Sequence, residues 1–449
     1  MPSRPHLTAA LLVLMAIAVA TPAVAESTEA PALPPVLRLD DALRLLRERG
    51  FDVLVAEAAV EGAEGDVSAA GAVANPSLSL AYGRSFTYGH CTDAAGNPTS
   101  CGILPDALLG AGLSDQGALF DALTGKRGLR LKAARSAAAA ARASRDDALR
   151  TLTAQTKQAF AQAVIAKQAL LVARDVAASS TRTAELTRTR YEAGAISEAD
   201  VARIDVAKLE ADQAVDTAAQ NLRDAKFTLA FLLGVRGPAP DFDVEGPELL
   251  AAHEPQALGG ATAEALLARA RERRPDLAAA LRQRERAEAS LDLACRRRFP
   301  DVSVSVTYAQ QGTTANAISP PTATAGLSFP LPIFYQQKGE IRRAEADLTS
   351  QSIQAVKLEA QVASDVQTGF SDYTSAASLA RRMETTLLER ARRARDLVSV
   401  QYQKGAASLL DFLDAQRTFN ATNAEYLQDL ALYWGAVFKL EQAVGEELR

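Results

Sequence analysis

The sequence is poor in aromatic residues, histidine and cysteine. Its 449 residues include 14 Phe, 9 Tyr, one Trp, three His and three Cys, although 48% of the residues are hydrophobic. The apolar character therefore comes from Ala, Leu and Val, which favours long, closely packed helices over a bulky globular core. A metal-binding protein is a poor interpretation, because no dense cluster of His and Cys ligands is present.

The chain also lacks a surplus of positive charge and the motifs of common enzymes. The 49 Lys and Arg residues are outnumbered by 54 Asp and Glu residues, for a net charge of −5. This balance argues against a nucleic-acid-binding protein. We find no phosphate-binding loop, metalloprotease helix motif or nucleophile elbow, so we expect neither enzymatic activity nor a cofactor.

The first 25 residues have the pattern of a secretory signal peptide. Arg4 precedes an apolar run over residues 7–20, and residues 23–25 read Ala-Val-Ala, a small-x-small cleavage site. We predict a mature chain that begins at Glu26 and carries no lipid there, because no Cys lies near the site. Beyond residue 25 no apolar run approaches the roughly 18 residues of a transmembrane helix. The exported protein is therefore either soluble or crosses a membrane as strands.

The mature chain contains a tandem duplication. Residues 190–234 align with residues 401–445 without a gap. The identical pairs are Tyr191/Tyr402, Gly194/Gly405, Ala195/Ala406, Ser197/Ser408, Asp200/Asp411, Ala225/Ala436, Phe227/Phe438, Leu229/Leu440 and Gly234/Gly445. We therefore predict a first structural repeat over residues 26–236, a linker over 237–260 and a second repeat over 261–449.

Each repeat has the same predicted order of elements. A short helix and a medium helix precede a proline, then two alternating polar and apolar segments predict a β-hairpin, and a helical hairpin follows. The approximate bounds in the two repeats are 39–48 and 262–273 for the short helix, 52–74 and 276–297 for the medium helix, 77–117 and 301–332 for the β-hairpin, and 128–234 and 339–445 for the helical hairpin.

The predicted strands set a constraint on assembly. Strands of about 8–12 residues can cross a bilayer when tilted. Two hairpins supply only four strands per chain, which cannot close a transport-sized barrel, and an open sheet edge cannot face lipid. Strands in a membrane would therefore require several chains to share one barrel, and three chains would supply twelve strands.

Across the whole mature chain, these features resemble the TolC-like outer-membrane efflux proteins. The resemblance rests on the two Tyr-x-x-Gly-x-x-Ser-x-x-Asp turns, on Asn75-Pro76 before a strand, and on the Arg-Pro-Asp-Leu sequence at residues 274–277. Residues 125–130, and residues 330–334 with 338–341, are similar to the CzcC-like branch of that family, which exports divalent cations and other substrates.

The resemblance implies a mainly α-helical fold with a small β part. It implies a homotrimer in which a shared twelve-stranded β-barrel in the outer membrane, in contact with lipid, continues into a long α-helical tunnel in the periplasm. Such proteins are passive exit ducts that work with a periplasmic adaptor (membrane fusion) protein and an inner-membrane pump, here expected to be of the RND class. Metal cations and drugs both remain open as substrates.

The two repeated turns are candidate docking sites. Gly194 and Gly405 suit a left-handed helix end, and Ser197 and Ser408 suit an N-cap, so each segment is a tight helix–helix turn. The resemblance also implies that both turns lie at the periplasmic tip, where the adaptor docks. The docking residues would be Tyr191, Gly194, Ser197, Tyr402, Gly405 and Ser408.

Acidic residues just after the second turn are candidates for a periplasmic gate. Asp411 and Asp414 share a helix face, and in the resembling family acidic residues at these positions ring the closed entrance. An ordinary capping role for Asp411 in a solvated turn is the alternative. The first repeat matches Asp411 with Asp200 but has Arg203 in place of Asp414, so Arg203 could instead pair with an Asp of a neighbouring helix.

An exported coiled-coil scaffold without a pore is the competing interpretation of the whole sequence. It accounts for the helices and the export signal. It leaves unexplained the alternating segments at matching points of both repeats. Trimers that require detergent for extraction would favour the duct, and a rod that is soluble without detergent would favour the scaffold.

Cys91 and Cys101 flank a stretch rich in Gly, Asn and Thr within the longer insert of the first repeat. In an oxidising compartment a loop disulfide between them is expected, and a metal site with His90 is a weaker alternative. We predict that this insert is the external loop of the first hairpin. After reduction, a thiol reagent added to whole cells should label both residues, and labelling only after the outer membrane is opened would show the reverse orientation.

Overall fold

The computed structural model describes residues 33–84, 91–92, 95–99, 107–238, 240–311 and 320–448. The predicted signal peptide over residues 1–25 lies outside these ranges, as do Cys101 and the side chain of Cys91. The mature start at Glu26 and the disulfide therefore stay predictions.

Within the described ranges the chain is mainly helical. The helices are α1 (Leu39–Arg49), α2 (Phe51–Gly71), α3 (Ala118–Leu123), α4 (Lys126–Glu192), α5 (Glu198–Leu232), α6 (Ala263–Arg273), α7 (Pro275–Arg296), α8 (Lys338–Arg382), α9 (Glu389–Gln403) and α10 (Leu409–Val444). The strands are β1 (Val36–Leu37), β2 (Ser77–Arg84), β3 (Cys91–Thr92), β4 (Pro98–Thr99), β5 (Ala107–Ser114), β6 (Asp243–Val244), β7 (Ser303–Gln311) and β8 (Thr322–Ser328).

The long helices set the length of the molecule. Helix α4 has 67 residues, which corresponds to about 100 Å at 1.5 Å per residue. The 21-residue α2 and the 35-residue α5 both pack along it, and end to end they would span about 84 Å. In the second repeat α7 and α10 pack in the same way along the column formed by α8 and α9.

The second long helix is interrupted, whereas we predict the first arm of the helical hairpin over residues 339–445 to be one helix over about 339–402. A π-helical segment, Met383–Leu388, joins α8 to α9. A wider turn of this kind changes which side chains face the neighbouring helix. Met383 still packs in the central core, whereas Ala391 and Tyr402 on α9 are buried further along the column.

The four longer strands form one antiparallel sheet in the order β2-β5-β7-β8. The hairpin of the first repeat therefore joins the hairpin of the second through β5 and β7, with Leu113 opposite Val306. Asp115 fixes this junction, since its carboxylate accepts hydrogen bonds from the backbone N–H groups of Val304 at 2.7 Å and Gly117 at 3.1 Å. These hydrogen bonds hold the pKa of Asp115 below its ordinary value.

A large hydrophobic core surrounds the middle of the helical columns. It contains α1, α6, the central part of α4 and the C-terminal halves of α5 and α10. Part of the predicted linker, residues 237–260, packs into this core. Its β6 pairs in parallel with β1, and Phe242, Leu249 and Leu258 are buried. The apolar residues that lie between the Pro and Gly residues of this segment account for its packing.

An ion cluster closes this core where the second repeat begins. The guanidinium of Arg274 donates to both carboxylate oxygens of Asp276, at 3.1 and 2.6 Å, and to Asp365 at 2.9 Å. It also donates to the backbone carbonyl of Ala443 near the end of α10. Burial alone would raise the pKa of Asp276, but Arg274 and the charge of Arg150 hold this pKa below its ordinary value.

We predict that Arg274→Met destabilises the fold strongly. Removing one partner of a buried ion pair typically costs about 3–5 kcal/mol, so thermal unfolding followed by circular dichroism should begin at clearly lower temperature. Because the folded pKa of Asp276 is lowered, its contribution is present above the unfolded pKa of about 3.9 and is lost as the pH falls below it. The difference from wild type should therefore shrink near pH 3.

The matched control for this prediction is Arg282→Met. Arg282 pairs with Glu285 on an exposed face of α7, and such pairs contribute about 0–1 kcal/mol. Equal unfolding midpoints for the two variants would show that the Arg274 cluster does not stabilise the core.

Candidate functional site

The two helix–helix turns singled out in the sequence lie beside each other at one end of the molecule. The first joins α4 to α5 and the second joins α9 to α10. Gly194 and Gly405 both adopt positive φ, 72° and 76°, and each donates its N–H to the carbonyl of a tyrosine three residues earlier. These two turns and the adjoining helix ends are called the tip below.

A small hydrophobic cluster, separate from the central core, holds the two turns together. Its buried members come from all four helices: Ala184, Ile204, Tyr402, Leu409, Phe412 and Leu413. The ring of Tyr402 stacks on Phe412 with a centroid distance of 5.5 Å. The tip therefore behaves as a packed unit that joins the hairpins of the two repeats.

Tyr402 is the centre of a hydrogen-bond network across the tip. Its hydroxyl lies 2.8 Å from Thr187 Oγ1, and Thr187 donates its own proton to the carbonyl of Thr183 at 2.7 Å. Tyr402 must therefore be the donor to Thr187. Arg190 lies over the Tyr402 ring at 4.9 Å and donates to the carbonyls of Tyr402 and Gln403, so this cation caps the C-terminal end of α9.

The equivalent tyrosine of the first repeat has a different environment. Tyr191 is 44% exposed, whereas Tyr402 is only 4% exposed. The same motif thus provides a buried structural tyrosine in one turn and an accessible one in the other. The difference matters for docking, because only an accessible side chain can contact another protein.

The four gate candidates do not form one cluster within the chain. Ser408 and Asp411 make a complete capping box: Asp411 N–H donates to Ser408 Oγ at 3.2 Å, and Ser408 N–H donates to Asp411 Oδ2 at 3.0 Å. Hydrogen bonds from the Ser408 hydroxyl and N–H lower the pKa of Asp411. This carboxylate is therefore charged at neutral pH and has a capping role as well as any role at a gate.

Asp414, Asp200 and Arg203 have simpler surroundings. Arg203 donates to Asp200 of its own helix at 3.1 Å, and Ser197 Oγ donates to the other Asp200 oxygen at 2.8 Å. Within the described chain, then, Arg203 does not pair with an Asp of a neighbouring helix. Asp414 is exposed and makes no hydrogen bond or ion pair with a described residue.

The sequence singled out Tyr402 for docking but not the residues with which it joins the two turns. Thr187, Arg190, Ile204 and Phe412 lie outside the repeated motif, and their contacts cross between the repeats. The one sequence signal for these residues was the 3.6-residue spacing of apolar positions. This spacing predicts which face of a helix is buried but not which helix packs against it.

The described residues offer no group of three or more His, Cys, Asp or Glu side chains placed to hold a metal ion. In the same part of the chain, no helix has a stretch that is long and apolar enough to cross a membrane.

We predict that Tyr402→Ala loosens the tip but Tyr191→Ala does not. Removing a buried aromatic side chain costs about 3–5 kcal/mol, and about 1.4 kcal/mol corresponds to one power of ten in an equilibrium. Hydrogen exchange at the start of α10 should therefore be at least about 100-fold faster in Tyr402→Ala.

Tyr191→Ala is the matched control, because it removes the same atoms from the equivalent turn. Its exchange should remain close to that of the wild type. Similar acceleration in both variants would contradict the assignment of Tyr402 as the residue that holds the turns together.

Known proteins match this chain over most of its length. The family model "Outer membrane efflux protein" matches residues 42–235 and 266–446, one stretch in each repeat. The cobalt-zinc-cadmium resistance protein CzcC of Cupriavidus metallidurans is 25% identical over 444 residues, which cover 96% of this chain and 98% of the relative. The pyoverdine export outer membrane protein OpmQ of Pseudomonas aeruginosa is 27% identical over 285 residues, or 62% of this chain and 58% of OpmQ.

Solved structures share the fold at lower identity. The outer membrane protein VceC of Vibrio cholerae has a TM-score of 0.68 at 19% identity, with 92% of this chain and 97% of VceC covered. CusC has a TM-score of 0.66 at 18% identity, with 91% and 92% covered. The helical columns, the sheet and the two tip turns therefore form an architecture found in other proteins.

Proposed function

Because the chain belongs to the outer membrane efflux protein family, we propose that it is the outer-membrane channel of a tripartite efflux system. In this role it is a passive exit duct from the periplasm to the exterior, with no catalytic step. An inner-membrane pump delivers the substrate through a periplasmic adaptor protein.

The observation that carries this proposal is the two-faced sheet. One face carries large apolar side chains that are exposed in the single chain, among them Leu80 at 77%. These residues are Leu78, Leu80, Tyr82, Leu109, Leu113, Val306, Tyr308 and Leu327. Water is a poor environment for such a face and lipid is a good one.

The opposite face of the sheet has the character of a channel lining. Apart from Leu108, it carries small and polar residues. Ser79 and Ser305 donate their hydroxyl protons to the carbonyls of Gly112 and Gly326 across the strands. A side chain at position 112 would meet Ser79 Oγ at 2.6 Å. Small residues on this face leave space inside a closed barrel.

The open edges of the sheet support a trimer. Among the described strands, β2 pairs only with β5 and β8 pairs only with β7, so each has one unpaired edge. Lipid cannot satisfy the hydrogen bonds of such edges. Pairing β2 of one copy with β8 of the next closes the sheet, and three copies give a twelve-stranded barrel.

For the tip we propose two roles. Its accessible residues, including Tyr191 and the two glycine turns, dock the adaptor, and the pump beyond it is expected to be of the RND class. Threefold assembly brings copies of Asp411 and Asp414 around one aperture, where carboxylates favour cations. Asp200 and Arg203 of the first repeat flank the same aperture as a neutral pair.

We propose that the duct does not select its cargo. The names of the relatives refer to different substrates, cobalt, zinc and cadmium for CzcC and pyoverdine for OpmQ. The described tip offers charge but no set of metal ligands. Both divalent cations and organic compounds are therefore compatible with this aperture, and selection is left to the pump.

The double variant Asp411→Ala/Asp414→Ala tests the gate. The α10 cap should survive, since Ser408 Oγ still accepts the N–H of residue 411. We expect normal trimers that show higher single-channel conductance in planar bilayers, weaker cation preference and less block by multivalent cations.

The matched control is Asp212→Ala/Asp216→Ala. It removes two exposed carboxylates from α5, more than two helical turns from the tip, and should leave conductance and block unchanged. Identical behaviour of the two double variants would show that the acids of α10 are ordinary turn residues. A soluble, non-conducting wild type would instead favour the scaffold hypothesis.

A further inference from the structure

We propose that residues 329–335 and the basic helix ends beside them form an interfacial anchor. The surface would bind anionic phospholipid headgroups of the periplasmic leaflet of the outer membrane. The inference rests on the proposed function, which puts the strands in the bilayer, and it adds a lipid site that the channel role does not require.

The segment continues the alternating apolar pattern of β8 in the sequence beyond the end of the strand. Leu327 of β8 lies opposite Val304 on that face. Phe329, Leu331 and Ile333 keep the same alternation after the strand ends, and all three are exposed. The residues between them are Pro330 and Pro332, which lack a backbone N–H and cannot extend the ladder. Phe334 next to them is 100% exposed.

The first repeat has a counterpart at the same level. Helix α3 follows β5 directly, and its Leu119 and Leu123 are exposed. Phe299, which precedes β7, is exposed as well. Exposed apolar side chains thus lie where each hairpin meets the helices. A ring of this kind is favourable where a protein passes through the headgroup region of a membrane.

Exposed positive charges lie immediately beyond the apolar segment, with the carboxylate of Glu340 among them, whose pKa is lowered by the hydrogen bond from Tyr335 and by the charge of Arg297. The cations at the end of α7 and the start of α8 are all exposed, and none makes a side-chain hydrogen bond or ion pair with a described residue: Arg296, Arg297, Arg298, Lys338, Arg342 and Arg343. Tyr335 ties the segment to the start of α8, since its hydroxyl donates to Glu340 at 2.5 Å and accepts the N–H of Gly339 at 3.1 Å.

Charge complementarity indicates that lipid is the occupant. In the proposed trimer each copy carries the same six exposed cations at one level, and a ring of like charge favours anionic groups beside it. Lipid phosphates supply the opposite charge, and acyl chains cover the apolar side chains next to them. At a membrane surface we expect apolar residues next to the hydrocarbon region and cations at the level of the headgroups.

The apolar half of the anchor is tested with Phe334→Trp in the full mature chain. The protein is reconstituted in vesicles that contain brominated phospholipid, which quenches nearby tryptophan. The native Trp434 is buried in the central core and gives a constant background. We expect the added emission to fall by more than about twofold, whereas Leu209→Trp, at an exposed position of α5 far from the sheet, should be almost unaffected. An unquenched Phe334→Trp whose emission is already blue-shifted in detergent trimers would mean that a neighbouring copy covers the segment.

The charged half is tested with Arg342→Gln/Arg343→Gln, and the matched control is Arg392→Gln/Arg393→Gln, an exposed pair on α9 far from the sheet. Native mass spectrometry counts the phosphatidylglycerol molecules retained by detergent-released trimers. Retention should fall several-fold in the first variant only, and equal retention in both would overturn the headgroup site. The conductance of the wild-type protein in the same vesicles distinguishes the anchor hypothesis from the proposed function. A channel that conducts but fails these two tests refutes the anchor alone. A protein that neither inserts nor conducts refutes the proposed function.

Discussion

The architecture depends on one constraint, the sheet that a single chain leaves incomplete. Four strands place a continuous apolar face on one side and leave backbone donors and acceptors unpaired along β2 and β8. Neither feature is stable in water, and an unpaired edge is not stable in lipid either. Closure by further copies in a membrane satisfies both requirements. The junction of β5 with β7, fixed by Asp115, joins the two hairpins of one chain into a single sheet, which in the proposed trimer is one third of the barrel.

Equivalent residues of the two repeats have different surroundings in the structure. At the tip, Tyr402 is buried in the cluster that joins the repeats, while Tyr191 remains accessible. The first long helix is continuous over 67 residues, whereas the second passes through a π-helical turn beside the central core. Similar sequences can therefore supply a rigid column in one repeat and a differently packed column in the other.

Much of the fold could be predicted because it is local. Helix propensity, the Tyr-x-x-Gly-x-x-Ser-x-x-Asp turns and the alternation at residues 77–82 and 302–307 each act within a few residues. Contacts between distant residues could not be read in this way. The burial of Phe242 and Leu249 in the predicted linker, the pairing of β1 with β6 and the link from Tyr402 to Thr187 all depend on which segments meet in space. The gate candidates show both sides of this limit. The local position of Asp411 predicted its capping role, which the structure shows as a capping box, whereas spacing alone could not show what Asp414 faces.

The most direct test of this account is the cryo-electron microscopy structure of the mature protein in lipid nanodiscs. The account predicts three chains whose β2 and β8 edges pair between neighbours, a closed twelve-stranded barrel within the lipid, and a helical tube about 100 Å long that ends at the tip turns. A monomer, or a trimer whose sheet lies open outside the lipid, would contradict it.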